Sequence, residues 1–244
     1  MTSSGLLISV VLSEQSPLTS TTCVGRNRSR IDFADLATST AGEPLLAVCG
    51  AETPVTVYRV HCSLPSQEGF RVHVLNHSSF CVSEKGGTEN VRISALRFVL
   101  AESCDAVIVG VDSAEGGKVR MWELEFTQQT CHKLFNQSST TQKPKLVPTW
   151  KYCSEFGGGG SKLVNITTPI SSIMGGDKPS CYVCVGFADG SIQCLIRDSL
   201  QQISSVELPR GGNLPLDNSK VMPCKINFKN ISTSNFLLIN YRNL

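Results

Sequence analysis

The sequence predicts an all-β protein on three observations: apolar residues alternate with period two, glycine doublets punctuate them, and an apolar hairpin unit recurs. Gly5 to Ser13 places Leu6, Ile8, Val10 and Leu12 on one side. Phe70 to Val74 sets Phe70, Val72 and Val74 against Arg71 and His73, and Ser191 to Arg197 repeats the pattern through Ile192, Cys194 and Ile196. Successive side chains of a strand point to opposite faces, so each run reads as a strand with one buried face. Asn90 to Glu102 fits strand and helix alike, because Val91, Ala95, Phe98 and Val99 also satisfy helical spacing. Glycine doublets at Gly86-Gly87, Gly116-Gly117, Gly175-Gly176 and Gly211-Gly212, with a quartet at 157–160, mark connections between strands.

The recurring unit is a continuous apolar strand, a Gly or Asp turn, and a more alternating strand carrying a basic residue. Pro44 to Gly50 leads to Pro54 to Val60. Asp105 to Gly110 leads to Gly117 to Leu124, and Cys181 to Gly186 leads to Asp189 to Ile196. A further strand is expected before each pair, over 32–38, 91–100 and 166–174. Such hairpin repeats are how a propeller blade reads in sequence. The blade cores fall at 31–62, 91–126 and 166–197, with a partial blade over 220–244 and a long polar loop over 127–147. The spacing of about 65 to 75 residues exceeds that of compact WD repeats, so insertions sit in the loops. The expected fold is therefore an incomplete WD40-like β-propeller of about three blades, with partial blades at each end. Closing a ring takes at least four blades, so the chain is expected to belong to a longer protein.

Composition bounds the function. The 244 residues are 41% hydrophobic and 17% charged, too apolar for a disordered chain. A net charge of +2 argues against direct nucleic-acid binding, which needs a concentrated positive field. No apolar run approaches the roughly 20 residues of a membrane-spanning helix, and Leu6 to Leu12 lacks the basic residues and cleavage site of a signal peptide. Five glycosylation sequons, at Asn27, Asn76, Asn136, Asn165 and Asn230, and 11 cysteines would suit an oxidising compartment. Cys49, Cys104, Cys181, Cys184 and Cys194, however, sit in or beside apolar runs, where a reduced thiol packs as a small hydrophobe, and this favours an intracellular protein.

No catalytic, cofactor-binding or metal-binding set emerges. Cys181 and Cys184 point to opposite faces of a strand and have no second cysteine pair to complete a zinc site, so they read as core residues. His61, His73, His77 and His132 are scattered without hydrolase spacing. Gly157 to Lys162 places Ser161 before Lys162 and runs into a strand at Leu163, unlike a phosphate loop, and reads as a flexible loop. Asp189-Gly190 and Asp112 to Glu115 lack the oxygens of a calcium loop and read as Asx turns. Arg26, Arg28 and Arg30 form a basic cluster best read as a solvated loop.

Taken in order, the segments resemble the Mediator of RNA polymerase II transcription subunit 16 family. The matching stretches are Ala34 to Ala37 through Val55 to Val60, Ile93 to Phe98 through Met121 to Leu124, and Pro148 to Tyr152. Val185-Gly-Phe-Ala-Asp-Gly-Ser-Ile192 through Ser199-Leu-Gln201 is the most specific, and Gly5 to Val10 resembles the strand before the first match. The resemblance implies a WD-type propeller and a strand over 91–100. Glu123 follows Trp122 where WD repeats carry Asp, and no Gly-His dipeptide is present. It also implies a nuclear, non-enzymatic scaffold and coactivator without a cofactor. Its partners would be other Mediator tail subunits and DNA-bound transcription activators, with RNA polymerase II reached indirectly and no membrane contact. A secreted or lumenal β-rich glycoprotein, an unrelated propeller interaction module, and a propeller hydrolase or lectin are the alternatives. The last would need Asp, His and Arg at equivalent blade positions, and the sequence offers no such set.

Overall fold

The computed structural model of this chain describes residues 1, 3–11, 18–24, 30–63, 70–83, 91–100, 105–129, 145–168, 170–171, 178–179, 181–207 and 236–237. Every regular element among them is a β-strand. Strands β1 (Leu6–Val11) and β2 (Leu18–Cys23) begin the first sheet. The second is a meander of β3 (Phe33–Thr38), β4 (Pro44–Cys49), β5 (Val55–Ser63) and β6 (Arg71–Phe80). The third repeats it with β7 (Arg92–Leu100), β8 (Asp105–Ser113), β9 (Gly116–Gln129) and β10 (Lys145–Gly157). In the fourth, β11 (Leu163–Thr167) is followed by a small separate pair, β12 (Ile170–Ser171) with β13 (Lys178–Pro179). The sheet then resumes through β14 (Tyr182–Phe187), β15 (Ser191–Ile196) and β16 (Gln202–Glu207). Finally β17 (Phe236–Leu237) returns to pair antiparallel with β1. All pairings among the described residues are antiparallel.

The sheets stack face to face in chain order. Their first strands meet along one side, β3 against β7 and β7 against β11. On the other side β2 meets β6 and β6 meets β10. Blades of a propeller are arranged in this way, and the four sheets stop short of a closed ring. The fold is thus all-β and an incomplete propeller, as the sequence predicts.

Three apolar layers hold the stack, and β4 and β8 explain them. Leu45, Ala47 and Cys49 of β4 face the third sheet and meet Val107, Val109 and Val111 of β8, together with Val55, Val57, Phe98 and Trp122. Leu46 and Val48 point the other way, to Leu7, Val24, Phe70 and Val72. Ala106 and Ile108 of β8 turn toward the fourth sheet and meet Ile166, Val183, Val185 and Leu195. A strand covered on both faces needs apolar residues at successive positions, which is why these two read as continuous runs.

Carboxylate ties cross the layer between the second and third sheets and the layer between the third and fourth. The Asp35 carboxylate on β3 accepts the Phe98 N–H at 2.7 Å. Asp105 accepts the Thr40 N–H at 2.7 Å, and Asp112 accepts the Leu163 N–H at 2.9 Å. Asp112 therefore does not close an Asx turn on its own loop. Ser113 closes the turn instead, its Oγ accepting the Glu115 N–H. Burial pushes the Asp35 carboxyl above its usual value of 3.8, against the opposing pull of the Phe98 N–H and the Arg97 charge.

The loop expected over Gly157 to Lys162 is anchored at Gly158 and approached closely at Gly160, while Gly157 and Gly159 stand open. Gly117 donates its N–H to the Ser161 carbonyl at 2.7 Å, and Gly158 donates to the Gly117 carbonyl at 3.0 Å. A Cβ on Gly117 would lie 2.5 Å from the Leu163 nitrogen, and one on Gly116 would lie 2.6 Å from the Gly160 Cα. Two backbones cross here without room for side chains, joining the β8–β9 turn to the start of the fourth sheet.

The segment over 90–102, open between strand and helix on spacing alone, contains the strand β7, as the family resemblance implies. Other expectations shift. Of the strand expected over 166–174, the first part belongs to β11, which begins earlier because Leu163 and Ile166 reach the core, and Ile170–Ser171 forms β12; residues 169 and 172–174 lie outside the described residues. Each four-stranded sheet has a fourth strand beyond the three expected in its core. Residues 127–129 and 145–147 belong to β9 and β10, and 130–144 lie outside the described residues. Of the segment 220–244, only Phe236–Leu237 is described.

The buried face also differs from expectation at both ends of the stack. Leu7 and Leu195 are the core residues of β1 and β15, whereas Ile8 and Ile196 are exposed, and Ile192 and Cys194 are half-buried. Sequence alternation marks an apolar set; it does not say which face a neighbouring sheet covers.

Two sets of predictions arise here. Gly117→Ala is expected to cost about 1–3 kcal/mol in denaturant unfolding, because the Leu163 backbone must move. Gly157→Ala, whose added Cβ meets nothing within 4 Å, is expected to be neutral or stabilising by up to about 1 kcal/mol. For Asp35, the folded chain holds the carboxyl proton more tightly than the unfolded chain does. Stability therefore falls as pH rises from the usual carboxylate value through the raised one, and stays lower above it. Asp35→Asn keeps an acceptor for Phe98 and removes this fall, so the variant gains on the unsubstituted chain in unfolding titrations run upward from roughly pH 3. Asp35→Ala strands the Phe98 N–H and costs about 1–3 kcal/mol throughout.

Candidate interaction surface

The third sheet contains two strands longer than its geometry requires. β7 and β8 have nine residues each, whereas β9 has 14 and β10 has 13. Their excess forms a two-stranded ribbon beyond the stack, paired from Leu124↔Trp150 through Phe126↔Pro148 and Gln128↔Leu146 to Gln129↔Lys145. Directly paired residues of an antiparallel ladder share a face. One face of the ribbon therefore carries Leu124, Phe126, Gln128, Leu146, Pro148 and Trp150, apolar but for Gln128. The other carries Glu123, Glu125, Thr127, Val147, Thr149 and Lys151.

The polar face is cross-linked. Lys151 Nζ lies 2.9 Å from Glu125 Oε1, and this hydrogen bond, with the Glu125 charge, holds the Lys151 pKa above its ordinary value. The apolar face ends in two large side chains left in water, Phe126 at 54% exposure and Leu146 at 57%. Isolated two-stranded ribbons are marginal in water, so this one needs a fixed base.

Aromatic packing provides that base. Phe80 of β6 sits 4.8 Å from Trp122 and 5.6 Å from Trp150, centroid to centroid. Trp122 meets Tyr152 edge-on at 5.6 Å. The Trp150 Nε1–H donates to Ser78 Oγ at 2.8 Å, and buried Arg120 joins Glu155 at 2.5 Å and the Val82 carbonyl at 3.1 Å. The second sheet thus clamps the root of the ribbon, and its outer half presents a preordered amphipathic surface. Such a surface loses little conformational entropy on binding, and aromatic anchors tend to dominate binding energy.

Residues weighed in the sequence are placed as follows. Cys181 is exposed and Cys184 half-buried, so the pair does not lie in the core: Cys181 precedes β14, and Cys184 points away from the layer that Val183 and Val185 fill. Cys49 does lie in the core, where burial, with the nearby Asp32 charge, pushes its thiol up to about 12. His61 stands opposite His73 on β5 and β6, both exposed. The His77 pKa is lowered by burial and by Arg59, and its Nδ1 lies 2.8 Å from Ser78 Oγ. His132 and Cys104 lie outside the described residues, as do Arg26 and Arg28; Arg30 pairs with Asp32 at 2.7 Å. Asp189 does close an Asx turn, its Oδ1 accepting the Ser191 N–H at 2.9 Å. No group of three or more His, Cys, Asp or Glu among the described residues could hold a metal ion. Sequence reasoning misses the ribbon itself, although Glu123-Leu-Glu-Phe126 continues the alternation of β9 past Trp122 and signals it.

The base and the overhang are expected to separate by mutation. Trp122→Ala removes a buried ring and should cost about 3–5 kcal/mol, whereas Phe126→Ser should leave stability within about 1 kcal/mol, read by thermal or denaturant unfolding.

Comparison with known proteins gives two matches. A family model described as "Mediator complex subunit 16, N-terminal" matches residues 8–225. A curated protein named "Mediator of RNA polymerase II transcription subunit 16", from Aedes aegypti, is 29% identical over 133 residues. The match takes in 53% of this chain and 15% of the mosquito protein, so the chain spans far less than two thirds of that relative's length.

Proposed function

The chain belongs to the Mediator complex subunit 16 N-terminal family, and from this membership we propose that it is a nuclear, non-catalytic scaffold and coactivator element of the Mediator complex in RNA polymerase II transcription. Its role in this reading is to present rigid contact surfaces: the sheets over 33–80, 92–157 and 163–207 serve as blades, and the β9–β10 ribbon is the part offered to partners. Partners of this kind are other Mediator tail subunits and transcription activators, with the polymerase reached through them. The family match carries the reading, and the observation that points to the ribbon as its contact surface is the exposed apolar pair Phe126 and Leu146, held on a clamped ribbon rather than on a loose loop.

The test is affinity capture from nuclear extract with the tagged chain, alongside a Phe126→Ser/Leu146→Ser variant whose folding is checked by circular dichroism. Recovery of Mediator subunits with the unsubstituted chain, reduced at least tenfold by the variant, is the expected result. Capture unchanged by the variant would remove the ribbon from the reading. Absence of Mediator subunits, with glycan on the exposed Asn76 or Asn165 of the cell-expressed chain, would favour the lumenal alternative.

A further inference from the structure

The fourth sheet sets two cysteines side by side that the sequence holds ten positions apart. Cys184 on β14 and Cys194 on β15 are direct cross-strand partners, and both are half-buried free thiols. The class of the pair can be fixed from a neighbouring bond. Arg197 donates its N–H to the Cys181 carbonyl at 2.9 Å, which makes Cys181 and Arg197 a hydrogen-bonded pair in the same register. Hydrogen-bonded and non-hydrogen-bonded pairs alternate along an antiparallel ladder, and the register from Tyr182↔Ile196 through Gly186↔Ile192 runs without a bulge. Val183 and Leu195 therefore fall in the hydrogen-bonded class, and Cys184 and Cys194 in the closer one. Non-hydrogen-bonded partners have Cα atoms about 4.5 Å apart, inside the roughly 4.4–6.8 Å a disulfide spans. The two thiols project from directly paired positions onto the face of the sheet that points away from Val183, Val185 and Leu195.

We propose that Cys184 and Cys194 form a redox-active cross-strand dithiol, a modification site that closes to a disulfide on exposure to a small-molecule disulfide such as oxidised glutathione. One cysteine, as thiolate, attacks a sulfur of the oxidant, forming a mixed disulfide and expelling one glutathione thiolate. The facing cysteine then attacks the protein-side sulfur and expels the second. The two cysteines lose two electrons to the oxidant, and their two protons end on the two reduced glutathiones. Cys181, despite its Cys-x-x-Cys spacing, is excluded from the pair, because it faces Arg197 across the ladder and points to the opposite side of the strand from Cys184. Burial and the facing sulfur both raise the Cys184 pKa, so the site rests as thiols and reacts through proximity more than through an acidic thiol.

The experiment treats the folded 244-residue chain with oxidised glutathione, blocks remaining thiols by alkylation, and maps cysteines by peptide mass spectrometry. A Cys184–Cys194 cross-linked peptide is expected, with alkylation of both residues lost together and no stable glutathione on either. Cys184→Ser and Cys194→Ser should each trap glutathione on the remaining cysteine, at least tenfold above its level in the unsubstituted chain. Circular dichroism on each variant confirms that the sheet persists. The proposal is overturned if Cys184 links instead to Cys181 or another cysteine, if stable glutathione accumulates on Cys184 or Cys194 in the unsubstituted chain, or if both stay alkylatable at oxidant levels that modify the exposed Cys23 and Cys62.

Discussion

The stack depends on one constraint: a strand in the middle of an inner sheet must satisfy two apolar layers at once. β4 and β8 meet it by sending odd and even residues to opposite neighbours, Leu46 and Val48 one way and Leu45 and Ala47 the other. Each buried side chain of this size is worth roughly 1.5–3 kcal/mol relative to exposure, so the continuous runs carry much of the stability. Everything peripheral follows from that layering. An edge strand can be polar, as β16 is, because it does not serve two layers.

This constraint also explains what can be read in advance. Runs such as Leu45-Leu-Ala-Val-Cys49 and Ala106-Val-Ile-Val109 announce strands covered on both sides, and the hairpin unit around each sets the blade order. Facing is harder. In β1 and β15 the core residue belongs to the less apolar set, Leu7 with Ser9 and Leu195 with Ser191 and Gln193, so alternation points to Ile8 and Ile196 instead; only the presence of a sheet on one side decides. The inter-sheet aspartates are invisible for a related reason. Asp112 looks like a turn residue in sequence, and its partner, the Leu163 N–H, is 51 residues away. Close backbone crossing at Gly116 and Gly117 likewise leaves no local mark beyond glycine itself.

The candidate surface shows the same division. Its root is legible in part, through Trp122 and Trp150, but the clamp between them comes from Phe80 and Ser78 on another sheet. Its tip falls where polarity suggests a loop, although Phe126 and Leu146 stand in plain view. Placing a binding surface on a ladder rather than on a loop trades adaptability for preorganisation, which suits a partner met repeatedly in one geometry.

The carboxylate ties have a dynamic consequence. The amides of Phe98 and Leu163 are held by side chains from the preceding sheet, and that of Thr40 by a side chain from the following one. Breathing confined to one sheet leaves those protons engaged; parting of two sheets frees them. Solvent exchange at Phe98 and Thr40 thus senses one seam and at Leu163 the next, so the chain carries its own gauge of which seam opens first.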